Sequence, residues 1–147
     1  MERPGLGEVI VMEKNHKTTV SIQSHHHDWI ADEPTSIEGG EDLGPSPYEL
    51  LLSALGACTT ITMRMYIQRT GWPVEHIQVK LWHAREQSGE SGGAKANPPK
   101  QLIHRQILVK GDLSQDQLDK LMEIANKCPV HRTLMGEIET PTNLERV

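Results

Sequence analysis

The chain has 147 residues, a net charge of −5 and no basic block, which sets the size of one domain (1–147) and disfavours nucleic acid as the main partner. Phenylalanine is absent, so a core must be assembled from Leu, Ile, Val, Met and Ala. The first residues lack the positive-then-apolar layout of a signal peptide, and no unbroken apolar stretch reaches the roughly 18 residues of a membrane span. These features predict a cytoplasmic protein with reduced thiols and no membrane partner.

Val9 to Asn15 and Thr18 to Gln23 are β-branched runs around a polar turn and predict a hairpin. Asp28 to Ala31 adds a short third strand. A Gly/Pro-rich loop follows from Ile37 to Pro47, and its acidic residues read as solvated. Ser46, Pro47 and Glu49 then mark a helix start: an N-cap, a proline at the first helical position and the partner of a capping box. The helix should run to about Thr70 and stop at Gly71-Trp72-Pro73. From Leu50 to Met65 it is apolar on nearly every side, as expected for a helix buried in a domain or between two chains. Ser, Gly and Thr interrupt it too often for a membrane helix.

Ile77 to His83 and Leu102 to Lys110 alternate apolar and polar residues, the pattern of half-buried strands. Gln87 to Lys100 is rich in Gly, Ser, Asn and Pro and predicts a mobile hairpin connection. Ser114 and Gln117 form a second capping box, ahead of Leu118, Leu121, Met122 and Ala125 at helical spacing. Gly136 to Pro141 reads as a last strand. The order strands, helix, strands, helix, strand predicts an α+β domain with a largely antiparallel sheet and two main helices.

Two cysteines, Cys58 and Cys128, are the only thiols. Cys58 lies within the apolar helix, and Cys128 closes the second helical pattern just before Pro129. They can meet only through the fold. Distant thiols joined this way in an intracellular protein point to redox or metal chemistry more often than to a structural staple. The duller alternative is a small core residue at Cys58 and an inert helix-end residue at Cys128. A zinc site using both thiols and one of the eight histidines is a further alternative. His25-His26-His27 invites a chelate if it lies in a strand, and a polar strand end or loop otherwise. His131 is placed to tune Cys128 or to be a surface imidazole.

The segment Gly44-Pro-Ser-Pro-Tyr-Glu-Leu-Leu-Leu-Ser-Ala-Leu-Gly-Ala-Cys58 with Thr59 to Met63, and the later Cys128-Pro-Val-His-Arg-Thr-Leu134, resemble the OsmC/Ohr family of thiol-dependent peroxidases. Ala31-Asp-Glu-Pro34 and Gly71-Trp-Pro73 resemble its smaller OsmC-like branch. The resemblance runs over most of the chain. It implies an OsmC-like fold, an intertwined homodimer with active sites at the interface, and reduction of organic hydroperoxides in oxidative stress defence. It implies Cys58 as the peroxidatic thiol, Cys128 as the resolving thiol, Glu49 as an active-site carboxylate and an external dithiol as reductant, with no bound cofactor. Helix geometry adds that Glu49, nine residues before Cys58, stands about 13 Å away along the axis and about half a turn round. A catalytic Glu49 must therefore serve the Cys58 of another subunit, whereas the capping box explains it as a local stabiliser. The chain departs from the family pattern in one respect: no arginine lies between Pro4 and Arg64, where the family carries the guanidinium that stabilises its thiolate. Arg64, Arg132 and the His25–His27 cluster are the substitutes that suggest themselves. A non-catalytic binder of hydrophobic ligands, or a redox sensor, is the alternative function.

Overall fold

The computed structural model describes residues 2–86 and 98–147. The chain falls into two compact units, residues 1–51 and 52–147. The connection expected between Gln87 and Lys100 lies for the most part outside the described residues.

In the first unit, β1 (Ile10–Glu13), β2 (Val20–Gln23) and β3 (Asp28–Ala31) form an antiparallel sheet in the order β1-β2-β3. The predicted hairpin and third strand are therefore present. Asn15 closes the first turn, its Oδ1 accepting the N–H groups of Lys17 and Thr19 at 3.0 and 3.2 Å. Ser24 to His27 form the second turn, closed by the Ser24 N–H to His27 carbonyl bond. The three histidines thus occupy a turn, and the strand geometry that a chelate needed is absent. Arg3 fastens this turn, donating to the carbonyls of His25 and Ser24 and pairing with Asp28 at 3.1 Å.

Asp32, just past β3, organises the loop that was expected to be merely solvated. Its carboxylate is buried and accepts from the Thr18 hydroxyl at 2.6 Å, the Thr19 hydroxyl at 3.2 Å, and the N–H groups of Glu33, Glu41 and Leu43. The loop then turns back so tightly that a Cβ on Gly44 would meet the Ile30 carbonyl oxygen at 2.1 Å. Only glycine fits there.

In the second unit, β4 (Val74–Glu86) and β5 (Lys100–Gly111) form a long antiparallel ribbon, extending both predicted strands. The helix α1 (Pro47–Thr70) has the predicted bounds. Gly71 ends it with φ +72°, its N–H returning to the Ile67 carbonyl at 2.8 Å, a backbone setting that favours glycine. Helix α2 (Gln115–Ala125) begins with the predicted Ser114–Gln117 capping box. Two features differ from expectation. Residues after Gly136 form no strand, and a short helix α3 (Pro129–Met135) follows Cys128 directly. Pro129 stops α2 from continuing and also starts α3, because its fixed φ suits a first helical turn.

Helix α1 is not buried on every side. Leu55, Thr59, Met63 and Ile67, spaced four apart, form the buried stripe, and Ile61 and Met65 are 58% and 61% exposed. By length and composition α1 also qualifies as a membrane span, against expectation. Its buried stripe nevertheless has a protein partner. Met63 and Ile67 pack with Ile77 of β4 and with Leu121, Ile124 and Ala125 of α2. Each such aliphatic side chain contributes about 1.5–3 kcal/mol on full burial. Tyr66 and Trp72 close one end of this core edge to face, with centroids 5.4 Å apart.

The hydrogen bonds around Asp32 hold its carboxyl at about 2, below the ordinary 3.8, with the Thr18 hydroxyl as the largest cause. A depressed carboxyl stabilises the folded form above its unfolded value and ceases to do so as pH falls through the folded one. The first unit should therefore lose stability between about pH 4 and pH 2, as followed by near-ultraviolet circular dichroism at Trp29. Asp32→Asn should lower the melting temperature at pH 7 by several degrees and flatten this acid response.

Candidate active site

Strand periodicity places the site. On β4 and β5 the positions Ile77, Val79 and Leu81 share a face with Val109, Ile107 and Arg105, since Leu81 is registered opposite Arg105. This is the face that α1 covers. Gly56 allows the approach: a Cβ there would lie 2.7 Å from Leu81 Cδ1, so a larger residue would displace the leucine. One turn further along α1, Thr59 meets Arg105, whose Nη1 donates to the Thr59 hydroxyl at 2.9 Å. The same nitrogen reaches the Ala125 carbonyl at 3.1 Å, and Nη2 reaches Asn126 Oδ1 at 2.6 Å. The guanidinium thus joins α1, β5 and the end of α2.

Cys128 is at this junction. Its N–H donates to the Ala125 carbonyl that Arg105 also holds, its sulfur is fully buried, and Sγ accepts the His131 N–H at 3.5 Å. Across from it, α1 presents Cys58, half-buried, and both thiols are free. The two thiols lie close enough to shift each other's acidity. The fold therefore brings together two residues that are 70 positions apart in sequence.

The surroundings shift both thiols. Burial pushes the Cys58 thiol up and the neighbouring Cys128 pushes it further, against smaller lowering by the Val130 N–H and the Thr62 hydroxyl. Burial alone would also raise Cys128. The neighbouring Cys58, the His131 N–H that donates to it, and the nearby Thr59 hydroxyl and Val130 N–H offset this and bring it below its ordinary value. Burial lowers the Arg105 guanidinium, and the nearby Cys128 thiolate offsets part of that effect. His131 is lowered by burial and then by Arg105.

The other expected residues are placed as follows. Glu49 caps α1: its N–H donates to Ser46 Oγ at 3.3 Å, and its carboxylate accepts from the same hydroxyl at 3.0 Å. Arg64 is committed to the Val74 carbonyl at 3.2 Å, and Arg132 is exposed on α3. Among the described residues no three His, Cys, Asp or Glu side chains gather as a ligand set. The guanidinium beside the thiols is Arg105, which the sequence reading passed over. One signal for it was available: Ile103, Arg105, Ile107 and Val109 alternate on the apolar phase of β5, so a charge was aimed inward.

Residues 39–143 match the protein family described as OsmC-like protein. The chain belongs to the OsmC-like family. A Bacillus subtilis protein, the uncharacterized YmaD, is 29% identical over 112 residues, covering 72% of this chain and 70% of its own length. Among solved structures, a putative osmotic stress induced and detoxification response protein from Psychrobacter arcticus superposes with a TM-score of 0.68 at 16% identity, over 90% of this chain and 91% of that one. The organic hydroperoxide resistance protein OhrB of Bacillus subtilis does so with a TM-score of 0.60 at 16% identity, over 88% and 90%. The α+β OsmC-like fold is thereby established.

His131 offers a local check of this electrostatic arrangement. Its imidazole should titrate below the ordinary 6.5 in a proton-detected NMR titration. Arg105→Met should move that midpoint upward, because it removes the adjacent positive charge.

Proposed function

We propose that this OsmC-like protein is a cysteine-based peroxidase that reduces organic hydroperoxides as part of oxidative stress defence. The observation that carries the reading is the Cys58–Cys128 pair that the fold brings together, with Cys58 half-buried and Cys128 fully buried. The names of structural neighbours such as the Legionella pneumophila organic hydroperoxide resistance protein support the substrate class.

Cys58 attacks the peroxide, forming an S–O bond as the O–O bond breaks and an alcohol leaves. Cys128 then condenses with the Cys58 sulfenic acid, releasing water and forming a disulfide, which an external dithiol reduces. The apolar helix around Cys58 favours a bulky hydroperoxide. The cycle calls for no bound cofactor, and its dependence on reduced thiols fits the cytoplasm. Glu49, a local cap within its own chain, acts in this reading as a carboxylate toward the thiols of a second subunit.

Peptide mapping after one equivalent of cumene hydroperoxide should recover a Cys58–Cys128 bridge within one chain. Cys58→Ser should reduce peroxide consumption to background. Cys128→Ser should complete one turnover and stop at a sulfenic acid that a dimedone-type probe traps. Equal consumption by Cys58→Ser and wild type would overturn the reading.

The homodimer belongs to the same proposal. Its support is the exposed apolar side of α1, with Ile61 and Met65 more than half exposed in the single chain. Sedimentation at low micromolar concentration should show a dimer. A folded monomer there would refute it.

A further inference from the structure

A disulfide tolerates little displacement: its two Cα atoms must stand roughly 4.4 to 6.8 Å apart. Cys58 is held in the interior of the long helix α1. Cys128 is held less firmly, because it hangs from the end of α2 through Asn126 and Lys127. The N–H groups of those two residues fold back to the carbonyls of Met122 and Ile124 at 3.1 and 3.0 Å. A helix end of this kind frays unless something ties it down.

Arg105 spans the gap between the two carriers. Its Nη1 donates to the Thr59 hydroxyl at 2.9 Å, and Thr59 is the residue after Cys58. The same nitrogen donates to the Ala125 carbonyl at 3.1 Å, and that carbonyl also accepts the Cys128 N–H at 3.3 Å. Nη2 adds Asn126 Oδ1 at 2.6 Å. Each end of the clamp is therefore one link from a thiol-bearing residue. Thr59 makes a firm anchor, being fully buried with its hydroxyl donating to the Leu55 carbonyl at 2.8 Å. The planar guanidinium holds its donors at fixed angles, so one side chain can set the separation of two backbones.

We infer that Arg105 is a positioning residue for the disulfide-forming step, splinting the start of α3 to α1 so that Cys128 stays within bonding reach of Cys58. This rests on the peroxidase reading above and adds to it the residue that sets the spacing of the pair. Arg105 acts through Thr59 and the Ala125 carbonyl. In the step it serves, the Cys128 sulfur attacks the Cys58 sulfenic sulfur. The S–S bond forms, the S–O bond breaks, and the hydroxyl leaves with the thiol proton as water. Both sulfurs belong to one chain, so the rate depends on how often their backbones sit at bonding separation.

The test reads that spacing without peroxide. The reduced full-length protein is equilibrated with a glutathione redox buffer, in which two protein thiols become one disulfide as one oxidised glutathione becomes two thiols. The equilibrium constant is the effective concentration of one protein thiol at the other. Arg105→Met should lower it by about ten-fold or more. Thr59→Val removes the α1 anchor and should lower it comparably, which carries the test if Arg105→Met fails to fold. The double variant should fall no further than Arg105→Met, because both changes cut the same tether. Arg105→Lys offers a single point in place of the fork and should recover only part of the wild-type value. After one equivalent of cumene hydroperoxide, a dimedone-type probe should trap a larger share of Cys58 sulfenic acid in Arg105→Met than in wild type. Ile77→Val trims the same core four register positions along the ribbon from Arg105. It should lower the melting temperature and leave the effective concentration unmoved. A clamp that only stabilises the fold would make Arg105→Met and Thr59→Val behave like Ile77→Val. That result, or fully multiplicative losses in the double variant, would overturn the inference. A wild type that pairs its thiols readily yet consumes no hydroperoxide would instead overturn the peroxidase reading and leave the splint standing.

Discussion

One guanidinium holds the second unit's functional corner together. Arg105 projects from the inner face of β5 and reaches Thr59 on α1, the Ala125 carbonyl at the end of α2 and the Asn126 side chain. Only the planar fork of arginine reaches acceptors on two helices at once; a lysine ammonium is a single point on a flexible stem. The last carbonyls of α2 carry partial negative charge, so a cation at this end is also favoured by the helix dipole. The interaction ties the end of α2, just before Cys128, to β5 and α1.

The approach of α1 to the sheet follows from side-chain size along one stripe. Gly56 lets the helix come down on Leu81, Thr59 turns a small hydroxyl toward Arg105, and Met63 and Ile67 fill the space beyond. The sequence of small, polar and then large residues grades the helix face from chemistry to core. Cys58, adjacent to this stripe, is kept half-buried: near enough to pair with Cys128 and open enough to meet a substrate. Burial raises both thiols, and each shifts the other, with backbone and hydroxyl donors lowering both.

The first unit depends on a different device. A buried carboxylate, Asp32, collects two hydroxyls and three backbone N–H groups and so orders a loop that contains no regular structure. Asp42 in this loop adopts φ 53°, a left-handed conformation that Asp tolerates better than most residues. Composition alone marked this stretch as acidic and solvated. The carboxylate that matters is the one whose neighbours in space are Thr18 and Thr19, just ahead of β2.

Local chemistry in the sequence determined the elements. The Ser46-Pro47-Glu49 start, the Gly71 stop and the Ser114–Gln117 box act through contacts within a few residues, so the chain itself specifies α1 and α2. Period-2 alternation likewise specified β4 and β5, and the two cysteine motifs pointed to the thiols that the fold brings together. The tail after Gly136 was misread because β-propensity is decided by what a strand pairs with. Helix α3 was missed because Pro129 was read only as a stop. What only the tertiary structure decided is the electrostatics: how burial and nearby donors shift the two thiols, and that Arg105 is the cation near Cys128. Those depend on burial and on donors from α1, β5 and α3 converging through space, and no spacing along the chain encodes a distance between residues 59, 105 and 128.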